Sequence, residues 1–236
     1  KECIIRGVSY EIITDSYRSQ IQLELANPES NTDIIKLEKA PKVAVYSPEG
    51  NLPWDDAVTM VLTYAEIPYD IIYDEEILSD LLPLYDWLHL HHEDFTGQYG
   101  KFYAHFKNAP WYIEQKRDYE KAATELGYST VAEQKLAVAL RIKEFLAGGG
   151  FLFAMCSATD SYDIALAAEN TDICEYMFDG DGRNTNAQSE LDFSKSIAFK
   201  DFQLINDPNV YEFSDIDVTR GRKVSKSQDF FTLFEF

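Results

Sequence analysis

The strongest constraint in this chain is an alternation. Four short runs with strand character, KVAVYSP (42–48), PYDIIYD (68–74), YDWLHLHH (85–92) and FLFAM (151–155), are separated by longer stretches with helical spacing. In LPWDDAVTMVLTYAEI, Trp54, Val58, Val61, Leu62 and Ala65 fall on one helical stripe. Residues 109–127 and 131–147 read as two further helices. The second carries Val131, Leu136, Ala139, Leu140, Ile142 and Leu146 mostly along one side, with Gly148 placed to end it. SATDSYDIALAAE follows the fourth strand as another helix. Strands alternating with helices imply an open, mostly parallel α/β sheet flanked by helices. Ligands of such sheets bind outside the carboxyl ends of the strands. Three segments are therefore expected to meet there: Ser47 to Trp54, His91 to Gly100, and Cys156 to Ser161.

The flanks read differently. In residues 1–40, CIIRGVSYEII and SQIQLELA alternate apolar and polar positions, so an N-terminal β extension is expected, with TDSYR as its turn. The α/β domain is expected over 41–178. DGDGRNTNAQS (179–189) is a polar loop. SIAFKDFQLI, NVYEFSDIDV and DFFTLFEF then make residues 179–236 a β-rich C-terminal segment. A first residue that is Lys and a last stretch of strand character give the expectation of a piece of a longer protein. The compartment stays open, including export after loss of an N-terminal signal.

Charge removes some functions. With 41 acidic against 21 basic residues the net charge is -20. Such acidity argues against phosphate-backbone binding, so nucleic acid and anionic membrane are not expected partners. No apolar run reaches the length of a membrane span. Cys3, Cys156 and Cys174 are too far apart in sequence for a zinc or redox motif. No cofactor is expected, and the expected partner is a small-molecule ligand or substrate.

The chemistry concentrates in GGGFLFAMCSATDS (148–161), a strand running into a corner and then a helix. A nucleophile elbow has this form, with small residues beside the nucleophile. Here Ala154 and Ala158 stand two places either side of Cys156. The helix that follows aims its first N–H groups at the sulfur, which favours thiolate. The Ser157 N–H is a candidate oxyanion donor, and Ser47, Ser157 and Thr159 are candidate ligand-binding residues.

On these residues the chain from about 42 to 170 resembles a class I glutamine amidotransferase-like domain of flavodoxin-like architecture. KVAVYSPEGNLPWDDAVTMVLTYAEIPYDIIYDEEI, YDWLHLHHEDFTGQYGKF and GGGFLFAMCSATDSYDIALAAE together resemble, more narrowly, a bacterial family found chiefly in the Bacteroidota and often labelled asparagine synthetase B. That label implies an N-terminal cysteine and an ATP-dependent domain. Here Cys3 is not first, and no phosphate-binding Gly loop with Lys is present. The amidotransferase resemblance implies that Cys156 attacks an amide with a downstream His as base and a Glu to orient it. The histidines are His89, His91, His92 and His105, and none follows Cys156. Either the partner His lies beyond Phe236, or the complete Cys-His-Glu triad is absent, with the corner inherited architecture and Cys156 a small packed residue.

The alternative is a cysteine-dependent amidase or hydrolase that takes its base from HLHHEDFTG (89–97), with His91 or His92 oriented by Glu93 or Asp94. A third reading is a module that holds a small molecule such as a sugar. No metal is expected. The pattern His-x-His-x-Asp-His fails because Glu93 and Asp94 fill its last two places, and Asp179, Asp181 and Asn184 do not keep calcium-loop spacing. The plainer reading of HHED is a loop hydrogen-bond network with His89 packed in the sheet. Asp55 and Asp56 suit a helix start, and FYAHFKNAPWYIEQ is expected to pack over the sheet.

Overall fold

The computed structural model describes residues 11–25, 27, 40–48 and 57–217. The chain divides into two compact units, Lys1–Ala40 and Pro41–Phe236.

In the first unit the structure corrects the expected strands. Residues 11–13 are not strand, and Asp15–Leu25 is a helix, α1. TDSYR is a helix start, because Thr14 Oγ1 accepts the Tyr17 N–H at 3.3 Å. Ser19 and Gln20 add i,i+4 contacts to Asp15 O and Glu24. These local bonds favour helix over the alternation, and no residue of α1 is buried.

The second unit is an α/β fold with a four-stranded, all-parallel sheet in the order β2-β1-β3-β4. The strands are β1 Val43–Tyr46, β2 Tyr69–Ile72, β3 Trp87–Leu90 and β4 Phe151–Ala154. Between them lie α2 Ala57–Tyr64, α3 Asp74–Leu78, α4 Tyr103–Phe106, α5 Pro110–Glu125 and α6 Val131–Ala147. After β4 come α7 Ser157–Ala167, α8 Tyr176–Asp179 and α9 Ala187–Glu190. Every residue of β1 is buried, as a central parallel strand requires.

One face of the sheet, with Ala44, Tyr46, Ile72, Leu88 and Leu90, forms the main core with Val138, Ala139, Ile142 and Phe145 of α6 and Tyr162 of α7. α6 begins where Thr130 caps the Glu133 N–H and Glu133 returns to the Ser129 N–H. Pro110 fills the first position of α5, where its missing N–H has no cost. α7 is buried on nearly all sides, the signature of an interior helix. On the other face Trp87 meets Phe151 edge-on and His89 stacks on Phe153, whose rings remain about half exposed.

Of the expected stripe, Val58 and Leu62 of α2 and Ala65 just after it are partly covered while Val61 is exposed. Trp54, Asp55 and Asp56 lie outside the described residues. The aromatic stretch after Lys101 packs with Tyr99, Tyr112 and Phe178 beside the strand ends instead of over the sheet.

The β-rich C-terminal segment is also corrected. Among the described residues it holds one isolated bridge, Leu204 to Ser214. Side chains satisfy its backbone instead. Asp163 accepts the N–H groups of Ile197, Ala198 and Phe199, and Gln188 brackets Phe202 O and Leu204 N–H. Backbone groups need partners, but a ladder is only one source of them. DFFTLFEF lies outside the described residues.

Candidate functional site

β4 ends at Ala154 and α7 begins at Ser157, so two residues turn the chain. Cys156 is the helix N-cap, at φ 51° and ψ −139°. An L-residue with a side chain rarely holds that backbone, and its cost is on the order of 1–3 kcal/mol. Its side chain is exposed. The corner is tied to the loop after β3, where the Ser157 hydroxyl donates to His92 O at 2.7 Å and the Ser161 hydroxyl to Glu93 O at 2.9 Å. One turn into α7, Asp160 is buried, and its Oδ2 has no partner. Burial pushes that carboxyl up to about 7. Burial, then the nearby Cys156, Asp217 and Asp160, raises the hydroxyl of Tyr211 in the C-terminal segment.

The loop after β3 holds itself in a costly shape. Gly97, Tyr99, Gly100 and Lys101 all have φ between 53° and 80°. Asp94 supports the turn, accepting the Thr96 N–H and hydroxyl with one oxygen and the Gly100 N–H with the other. At Gly97 an added Cβ would stand 2.7 Å from Ala132 Cα, so the backbone approach itself demands glycine. Buried Lys101 donates to Ile205 O and Asp207 O, clasping the C-terminal segment to the loop. Burial lowers its ammonium to about 8. Glu93 accepts the His91 N–H, and burial raises its carboxyl. The His91 and His92 rings share an Nδ1 to Nδ1 contact of 2.8 Å. One ring donates and the other accepts, so the tautomers of the two rings are linked.

At the β1/β3 boundary, where the strand order reverses, a cavity of about 580 Å³ opens. Pro48, Tyr73, His92, Glu93, Trp111 and Lys135 are among its walls. Its base is a buried ion pair, Lys135 Nζ to Asp74 at 2.8 Å. Lys135 also donates to the hydroxyls of Tyr46 and Tyr73, Asp74 accepts from Gln134, and Tyr46 donates to Asp74. Burial first, then the Asp74 charge, raises the Tyr46 hydroxyl well above its ordinary value.

The structure thus brings together Cys156, Ser157, His91, His92, Glu93 and Asp94. Thr159 stays in the first turn of α7, its N–H on Cys156 O. Ser47 is buried at the end of β1, extending the pairing to Ile72 O, and its neighbour Pro48 faces the cavity.

Lys101, Lys135 and Asp160 did not stand out in sequence. Lys135 carried a signal: with Val131, Val138, Ala139 and Ile142 it occupies a buried helical stripe, and a buried cation demands a partner. Elsewhere Asp172, Cys174 and Asp179 place ligand-type atoms within 4.8 Å of one another. The Cys174 thiol is committed to Thr96 O, and burial together with Asp179, Asp94 and Asp172 pushes it well up.

Comparison with protein-family models, with curated proteins and with solved structures finds no match. Among the described residues no helix is long and apolar enough to cross a membrane.

Proposed function

We propose that the protein is a cysteine-dependent acyl-transfer enzyme of the amidase or amidotransferase-like type, with Cys156 as nucleophile and the His91–His92 pair as base. The observation that carries this reading is the backbone of Cys156. A strained, exposed cysteine at the start of an eleven-residue helix is costly to keep. Strain of that kind concentrates at functional sites. Packing does not account for it, because Cys156 is exposed.

The chemistry balances with the groups of this corner and the loop tied to it. An imidazole takes the thiol proton, and the sulfur attacks the amide carbonyl carbon, forming C–S. The oxyanion that develops is stabilised by N–H groups at the start of α7, Ser157 foremost. The carbonyl re-forms, C–N breaks, and the leaving amine takes its proton from the imidazolium. Water, activated by the same imidazole, then opens the thioester to give the acid and the free thiol. Glu93 holds the His91 backbone and Ser157 holds His92 O, so the loop that carries the base is tied to the residue next to the nucleophile. This arrangement puts the base before the nucleophile in sequence, unlike the downstream histidine of the amidotransferases that the chain resembles.

Glutamine and simple amides are the first substrates to test, by ammonia release. Turnover that disappears in Cys156→Ala and falls steeply in His92→Asn supports the reading. Turnover that survives Cys156→Ala overturns it.

A further inference from the structure

The cavity at the β1/β3 boundary adjoins the cysteine corner on two sides. His92 is one of its walls, and the His92 carbonyl accepts the Ser157 hydroxyl. Phe102 is another, and its ring stands 5.9 Å from that of Tyr211, which has Cys156 nearby. Past Phe102 the wall continues as Trp111, in the first turn of α5. Trp111 is about half exposed, and its ring neighbours Phe102, Phe106 and Tyr112 all meet it edge-on or tilted. Among the described residues no ring lies flat on the indole, which leaves a face for a flat guest.

A volume of about 580 Å³ suits a small organic group. Charge narrows the choice. Lys135, the only lysine or arginine among the described walls, is spent on Asp74 and the Tyr46 and Tyr73 hydroxyls. A carboxylate or phosphate would meet Glu93 and Asp94 with no cation to offset them. The part of the substrate that enters here follows from the chemistry, on the reading that Cys156 attacks and His92 serves as base. The imidazole must reach the leaving nitrogen, because it returns the proton when C–N breaks. Whatever that nitrogen carries lies on the His92 side, where the cavity is, while the acyl group stays with the sulfur. We propose that the substrates are secondary amides whose nitrogen bears an uncharged aromatic group, seated in this cavity against Trp111 and Phe102. Cleavage leaves the acyl group on Cys156 as a thioester and releases the aromatic amine carrying the imidazolium proton. Water then frees the acid and the thiol.

Two isomers test this on the whole chain. N-benzylacetamide and 3-phenylpropanamide have the same atoms and the same ring, on opposite sides of the amide. The kcat/KM of N-benzylacetamide should exceed that of its isomer, and that of N-methylacetamide, by at least about ten-fold. N-(4-carboxybenzyl)acetamide should lose that lead. Trp111→Ala should raise KM for N-benzylacetamide about ten-fold, and Trp111→Leu, which keeps apolar contacts at the start of α5, should act in the same direction. Equal cleavage of the two isomers, or a lead that both Trp111 variants keep, overturns the proposal and leaves Cys156 as nucleophile. Calorimetry with the Cys156→Ala protein identifies the other failure. If N-benzylacetamide binds there and Trp111→Leu weakens it, yet the wild type cleaves neither isomer, the nucleophile reading falls and the leaving-side assignment falls with it. Absence of both binding at millimolar concentration and cleavage overturns the aromatic site itself.

Discussion

Cys156 and Cys174 lie in two regions that treat the same side chain in opposite ways. After β4 the fold exposes the thiol, bends its backbone to a positive φ and starts a long helix there. After α7 it buries Cys174, points its S–H at Thr96 O and surrounds it with three acids that disfavour thiolate. Cysteine reactivity is a property of surroundings. The contrast shows that the fold spends conformational strain on the first cysteine and packing on the second.

Alkylation should separate the two regions most widely. Native protein treated with iodoacetamide should label Cys156 about 10⁴-fold faster than Cys174, whose thiol is reached only by local opening. Site-resolved mass spectrometry reads the ratio, and comparable rates would erase the distinction. Turnover comes next. Cys156→Ala should lower amide hydrolysis at least about a thousand-fold, whereas Cys174→Ala should leave kcat within a few-fold.

The buried acid of the first region gives a pH signature. Folded Asp160 holds its proton to about pH 7, but unfolded it releases it near the ordinary 3.8. The folded state therefore binds more protons between those values. Stability should fall as pH rises from about 4 to about 7, by an amount on the order of 2–4 kcal/mol, and then level off. Denaturant titrations of Asp160→Asn should lack that fall. A variant with the wild-type slope would show that another group is responsible.

The smallest effect reverses sign between the regions. Cys156→Gly relieves the positive φ and should gain about 1 kcal/mol. Cys174→Gly removes a buried thiol and its hydrogen bond and should lose about 2 kcal/mol. Loss at both positions would mean that Cys156 is ordinary packing.

Much of the α/β unit was legible because its signals are local and repeated. The spacing of Val131 through Phe145 gives α6, and the apolar VAVY gives a central strand. The corner was legible too, since strand, small residues and helix follow directly in sequence. The flanks misled for a physical reason. In SQIQLELA the alternation gave way to a helix that Thr14 caps through local bonds. In SIAFKDFQLI the apolar residues do pack, but Asp163, 34 to 36 residues away, takes the backbone N–H groups that a strand would need. The cavity was hidden for a similar reason. Lys135, Asp74 and Tyr46 meet only through tertiary structure. Nor does any spacing rule tie the loop of the histidine pair to Ser157, more than sixty residues later.

The central claim, that Cys156 is a working nucleophile served by the histidine pair, is tested most directly by acyl capture. The protein is mixed with p-nitrophenyl acetate, and nitrophenol release and intact mass are followed together. The expected result is a burst with one acetyl group on Cys156, no burst in Cys156→Ala, and a much slower burst in His92→Asn. Acetylation confined to lysines, or a Cys156 burst that His92→Asn leaves unchanged, would contradict it.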